Sequence, residues 1–195
     1  MIRAVIAACT LFLSGSPLAA LEFSRSGATL TMSGPIRSGD EFRLFEMMRG
    51  VDLTSIRVVR LSSPGGRIAP ATEIGRYIRK NRWTTLIPAG ARCSSACTLL
   101  FSSGVRRHYV GGNFADGQVP RNGFTGLAYH EGNAPLSRDA NRYSGAATNA
   151  MIGMYYEFGT PRAAELVTKA PPDRFWRISG TTALALGIAT SLSPP

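Results

Sequence analysis

The chain offers few soft metal ligands: two histidines and three cysteines among 195 residues. None of them follows a zinc-ligand spacing, so neither a structural metal nor a cofactor is expected. There is no run of five basic residues and no RNA-binding aromatic motif, which excludes the usual routes to nucleic-acid binding despite a net charge of +10. No apolar stretch reaches the roughly 20 residues of a membrane span. No internal repeat and no low-complexity linker occurs. Acidic residues are absent before Glu22.

What stands at that acid-free N-terminus is a three-part export signal. Arg3 supplies a short basic region, Ala4 to Leu13 an apolar run, and Ser14-Gly15-Ser16-Pro17 a break. Leu18-Ala19-Ala20 then provides small residues for cleavage. The expected organisation is a signal peptide over 1–20 and a single domain over 21–195, exported to the periplasm or secreted. About 175 residues then remain, enough for a substantial core. Arginine dominates the positive charge and is spread along the chain, as expected of a solvated surface with some attraction to anionic envelope surfaces. Of the cysteines, Cys9 leaves with the signal, so the mature chain keeps Cys93 and Cys97. An even pair in an exported protein is compatible with a disulfide.

Patterning along the mature chain alternates strand and helix. Residues 21 to 33 read as one or two short strands, and Asp40 to Met48 as a helix capped by Asp40 that buries Phe42, Leu44, Phe45 and Met48. Ile56 to Leu61 is a β-branched strand, and Ala69 to Asn81 a helix with Ile74 and Ile78 inward. Trp83 to Ile87 and His108 to Val110 read as strands around a small-residue helix over Ser94 to Ser103. Gly111 to Gly123 reads as loop and Phe124 to His130 as strand. Asp139 to Phe158, Thr160 to Lys169 and Thr181 to Leu186 read as helices. That alternation predicts an α/β fold with mostly parallel strands.

Three signals occur in a fixed order. Ser62-Ser63-Pro64-Gly65-Gly66 ends a strand and feeds a helix, and its glycines allow the close backbone approach an oxyanion hole requires. Cys93-Ser94-Ser95-Ala96-Cys97 opens a helix after a turn. A serine there is either a cap or a nucleophile favoured by the helix end. His130 closes an apolar strand at the mouth of a loop, where a general base is often placed. His108 lies early in its strand between Arg107 and Tyr109.

The run Val58 to Gly66, followed by a helix, a strand, Ser95, Gly104 and His130, resembles the proteolytic subunit of Clp protease and, more distantly, signal peptide peptidase A. Both are of the Clp/crotonase superfamily. The resemblance covers roughly residues 55 to 190 and implies a ββα spiral. It assigns Ser95 as nucleophile, His130 as base, and the N–H groups of Gly65 or Gly66 and of Ala96 as oxyanion donors. Where the family has its triad aspartate this chain carries Lys169-Ala170-Pro171-Pro172. Asp173 is the nearest carboxylate, Asp139 and Glu157 lie further off, and a Ser–His dyad is the alternative. Lys169 ranks below His130 as a base. Cys93 and Cys97, flanking Ser95, would bridge if the turn brings their Cα atoms within about 7 Å.

The expected function is therefore an exported serine hydrolase, a peptidase acting on peptide or protein chains without an ATPase partner and compatible with a homo-oligomer. The rivals are an envelope binding protein that keeps the fold without catalysis, and an ester or thioester hydrolase using the same site.

Overall fold

The computed structural model describes residues 20–134 and 142–195. The expected signal peptide and Asp139 fall outside these residues.

The first sheet runs β1-β2-β3-β4-β6. β1 (Glu22–Ser26) and β2 (Thr29–Ser33) form a hairpin across Gly27, whose φ of 53° is a turn conformation suited to glycine. β3 (Val58–Ser62), β4 (Thr84–Ile87) and β6 (Arg107–Tyr109) then add in parallel. Alternation fixes which face is inside: Leu30 and Met32 on β2 and Val59 and Leu61 on β3 are fully buried.

The second sheet runs β5-β8-β9-β7 and is mixed. β5 (Arg92–Ser94) pairs in parallel with β8 (Gly126–Tyr129). β9 (Arg174–Ile178) lies antiparallel between β8 and β7 (Gly117–Pro120). β7 departs from the expectation of loop over Gly111 to Gly123, and β9 is a strand in a stretch for which the sequence pattern predicts no element. The antiparallel register pairs the Gly117–Pro120 segment with Arg177–Arg174, and Pro120 is tolerated because β7 is an edge. Tyr109 pins the two sheets: its buried hydroxyl accepts from Leu127 N at 3.0 Å and donates to Ile178 O at 3.2 Å.

Six helices complete the described residues. α1 (Asp40–Met47) is capped by Gly39, not by Asp40. The Asp40 carboxylate is buried instead, accepting from the N–H groups of Arg37 and Leu21 and from Arg43. Phe42 is 69% exposed rather than buried, because Leu44 and Met48 take the inward face. α2 (Ile68–Lys80) buries Ala71, Ile74, Gly75 and Ile78, the spacing of one helical stripe. α3 (Cys97–Ser103) is buried on all sides, at the centre of the core. Leu99, Leu100 and Phe101 there are fully buried, each stabilising by about 2 kcal/mol. A Cβ on Gly75 would meet the Phe158 ring at 2.8 Å, so glycine is what lets α2 approach that ring.

α4 (Gly145–Glu157) begins at a Ser144 cap that accepts from Ala147 N. α5 (Pro161–Val167) and α6 (Gly180–Ala185) follow. None of the described helices is long and apolar enough to cross a membrane.

Candidate functional site

Two turns from different sheets are stitched together, and that stitching makes the site. After β3, Ser63 N donates to Arg92 O at 2.7 Å and Ser94 N donates to Ser63 O at 3.2 Å. Ser94 Oγ donates to Pro64 O at 3.0 Å. The Pro64-Gly65-Gly66 loop therefore lies directly against the end of β5. Its far side is held by residue 36, through Ile36 N to Gly65 O and Arg67 N to Ile36 O.

Ser95 sits at the turn between β5 and α3 rather than in the helix. Its φ is +54°, a conformation that costs a non-glycine residue on the order of 1 kcal/mol or more. Three contacts hold it there. Its N–H donates to Ala128 O on β8 at 3.1 Å, the Thr98 hydroxyl donates to its carbonyl, and Thr98 in turn bonds Tyr155 of α4. The fourth restraint is covalent: Cys93 and Cys97 form a disulfide, with Cα atoms 5.2 Å apart, that brackets the serine.

Gly65 is required by this packing. Its φ is +90°, and a Cβ there would meet Ser94 O at 2.4 Å, Ser95 Cβ at 2.7 Å and Ala96 N at 3.0 Å. Its own N–H is committed to Ser63 Oγ. The N–H groups of Gly66 and Ala96 have no hydrogen-bond partner among the described residues. Of the expected oxyanion donors, Gly66 and Ala96 are thus available and Gly65 acts as spacer.

His130 follows β8, is 3% exposed, and lines the same cleft as Ser95. No hydrogen bond joins the two, as is common before substrate binds. Its ring sits edge-on to Phe175 of β9 with centroids 4.5 Å apart. Burial, then the Arg121 and Arg92 charges, hold its pKa down to about 4, so the imidazole is neutral at pH 7. Its buried Nδ1 has no hydrogen-bond partner among the described residues. Asp173 is exposed ahead of β9 and makes no hydrogen bond to that nitrogen. Glu157 is engaged by Arg76 at 2.8 and 2.9 Å, and Lys169 lies over the Trp176 ring outside the cleft. His108 is also elsewhere, with Nδ1 at 2.7 Å from Ser193 O.

The cleft has a volume of about 990 Å³. Ile68, Met151, Met154 and alanines of α4 form an apolar wall. Arg92, Arg121 and Phe175 line the cleft as well, and nothing in the sequence singled out the two arginines. Arg92 shares a face of β5 with Ser94, but a three-residue strand is too short for that alternation to be read from sequence. Among the described residues no cluster of histidine, cysteine and carboxylates is arranged to hold a metal.

This architecture is the Clp/crotonase fold. A membrane-bound stomatin-specific protease, 1510-N, in a serine-to-alanine mutant form, superposes with a TM-score of 0.59 at 16% identity, covering 84% of this chain and 77% of that one. A lysine-to-alanine mutant of the same protease, in complex with a substrate peptide, gives 0.57 at 16% identity over 84% and 73%. ClpP1 from Listeria monocytogenes, in an asparagine-to-aspartate mutant form, gives 0.52 at 14% over 86% and 92%. A protein assigned as an enoyl-CoA hydratase from Streptomyces avermitilis gives 0.50 at 13% over 90% and 68%. No protein-family model matches the chain, and no curated protein sequence does. The chain thus shares its fold with serine proteases at low identity.

Proposed function

We propose that this chain is an exported serine hydrolase, a peptidase whose nucleophile is Ser95. The observation that carries this is the Ser95 turn itself: a serine held at positive φ, with two N–H groups in the adjoining turns that have no partner among the described residues and a neutral buried histidine in the same cleft. Residues held in such sparsely populated conformations cluster at active sites. Ser95 Oγ attacks the scissile carbonyl while His130 takes the hydroxyl proton, Nδ1 being buried and Nε2 left for transfer. Gly66 and Ala96 N–H stabilise the oxyanion. His130 then gives the proton to the leaving amine, and water hydrolyses the acyl-enzyme by the same steps in reverse. Among the described residues no carboxylate bonds His130 Nδ1, and the imidazole is oriented by packing against Phe175, so the reading is a Ser–His dyad. The Cys93–Cys97 disulfide supports export to an oxidising compartment, as does the N-terminal signal.

Labelling by a fluorophosphonate probe tests this. Wild type is expected to label, and Ser95→Ala to lose the label. His130→Ala is expected to slow labelling by about a hundredfold or more. A folded wild type that does not label would establish the binding-protein alternative. Labelled wild type that cleaves esters or thioesters but no peptide would establish the ester or thioester hydrolase.

A further inference from the structure

Around Phe175 the cleft is lined by two arginines. Arg92 and Arg121 both lie against Phe175, with guanidinium carbons 5.3 and 5.9 Å from its ring centre, and Arg92 also covers Phe124 at 4.3 Å. Since His130 meets the same Phe175 ring at 4.5 Å, the three groups share one support beside Ser95. The Arg92 pKa is lowered, by burial first and then by the Arg121 charge. Its Nε donates to Ser94 Oγ at 2.8 Å, and its two Nη groups have no hydrogen-bond partner among the described residues. No carboxylate of those residues pairs with it. The glutamates that line the cleft are placed otherwise: Glu41 accepts from Gly39 N, and Glu73 pairs with Arg76. Arg121 beside it donates to Pro172 O at 2.7 Å, so the idle fork among the described residues is that of Arg92. A half-buried guanidinium in that state is costly unless an anion completes it. A carboxylate fits the fork in bidentate geometry.

We propose that Arg92 and Arg121 form a carboxylate-binding subsite, so that the substrate is a peptide bearing a carboxylate next to the scissile bond. This rests on the peptide-cleft assignment above. The carboxylate comes either from an Asp or Glu side chain or from the peptide's own C-terminus.

Binding to full-length mature Ser95→Ala protein, measured by calorimetry at low salt, tests the subsite without requiring chemistry. The probes are acetylated, amidated leucine-alanine heptapeptides carrying a single Glu, scanned by position, against the same peptides with Gln. A second arm compares the uncharged peptide with a free C-terminal carboxylate against its amide. One carboxylate arm is expected to bind at least about tenfold tighter than its neutral twin, the scale of a charge-assisted hydrogen bond. Adding Arg121→Gln or Arg92→Gln should remove most of that preference, while Arg60→Gln, which removes an equal charge from the exposed face of β3, should keep it. Arg121 lies outside the strand pairs, so its variant carries the test if Arg92→Gln misfolds. No carboxylate preference in either arm, no binding of any peptide, or a preference lost equally in Arg60→Gln would overturn the subsite. Fluorophosphonate labelling of wild type with no carboxylate preference would overturn the subsite alone and leave the hydrolase standing.

Discussion

Acidification is expected to weaken this protein through His130. An unfolded imidazole titrates near 6.5, whereas the folded one is held at about 4. Because the folded value is the lower one, the stabilisation is complete above pH 6.5 and is lost as pH falls through 4. In that window the unfolded state binds the proton first. Each pH unit of difference corresponds to about 1.4 kcal/mol, so the full loss is on the order of 3 kcal/mol, and by pH 4.5 about 2.5 kcal/mol of it has developed. Carboxylates titrate over the same range, so the measurement must be a difference. Urea unfolding of wild type and of His130→Gln at pH 7.0 and 4.5 supplies it, since the carboxylates are common to both. Wild type should lose about 2–3 kcal/mol more than the variant. Equal losses would refute the burial of a neutral imidazole. The same neutrality places the acid limb of the labelling rate near pH 4; a limb near 6.5 would refute it independently.

Gly65→Ala should abolish probe labelling, because the added Cβ strikes Ser94 O and Ser95 Cβ, with a stability loss of about 1–3 kcal/mol from the strained φ. Labelling at the wild-type rate would show that the loop does not pack on Ser95 as described. Arg107→Leu should cost about 3 kcal/mol or more in urea unfolding, since it strands the carbonyls of Gly187 and Ile188 and leaves Gly104 O only the longer bond from Arg79. A loss under about 1 kcal/mol would mean that water replaces the arginine there.

The elements legible in the sequence are those whose burial is periodic. β2 and β3 alternate cleanly, and α2 shows its inward stripe at Ala71, Ile74, Gly75 and Ile78. β5 is three residues long, too short to show a period, and it passed for the start of a helix. β7 is hidden by its glycine and proline, and β9 buries Phe175 and Ile178, which a period of two does not connect. β7 owes its extended form to pairing with β9, and β9 to pairing with both β7 and β8, which local spacing does not reveal. Phe42 was misplaced for a related reason. The inward face of α1 is set by Leu44 and by the buried Asp40 carboxylate, which local spacing does not reveal.

The site divides along the same line. Ser95, His130, Gly66 and Ala96 were legible because each sits at the end of a local element, where one strand or helix stops. What connects them comes from separate segments of the chain. Arg92 from β5, Arg121 from a loop and Phe175 from β9 converge on one ring contact beside His130. That convergence accounts for two properties at once. It buries the imidazole among cations, which keeps it neutral, and it leaves the Arg92 fork without a partner among the described residues that line the cleft. An anion bound there would partly cancel the charges that depress His130. The proposed subsite and His130 are thereby coupled through the same two arginines: occupying the subsite should raise the His130 pKa, and Arg121→Gln should raise it in the free protein. The rise should be partial in both cases, because burial is the larger cause and neither change relieves it.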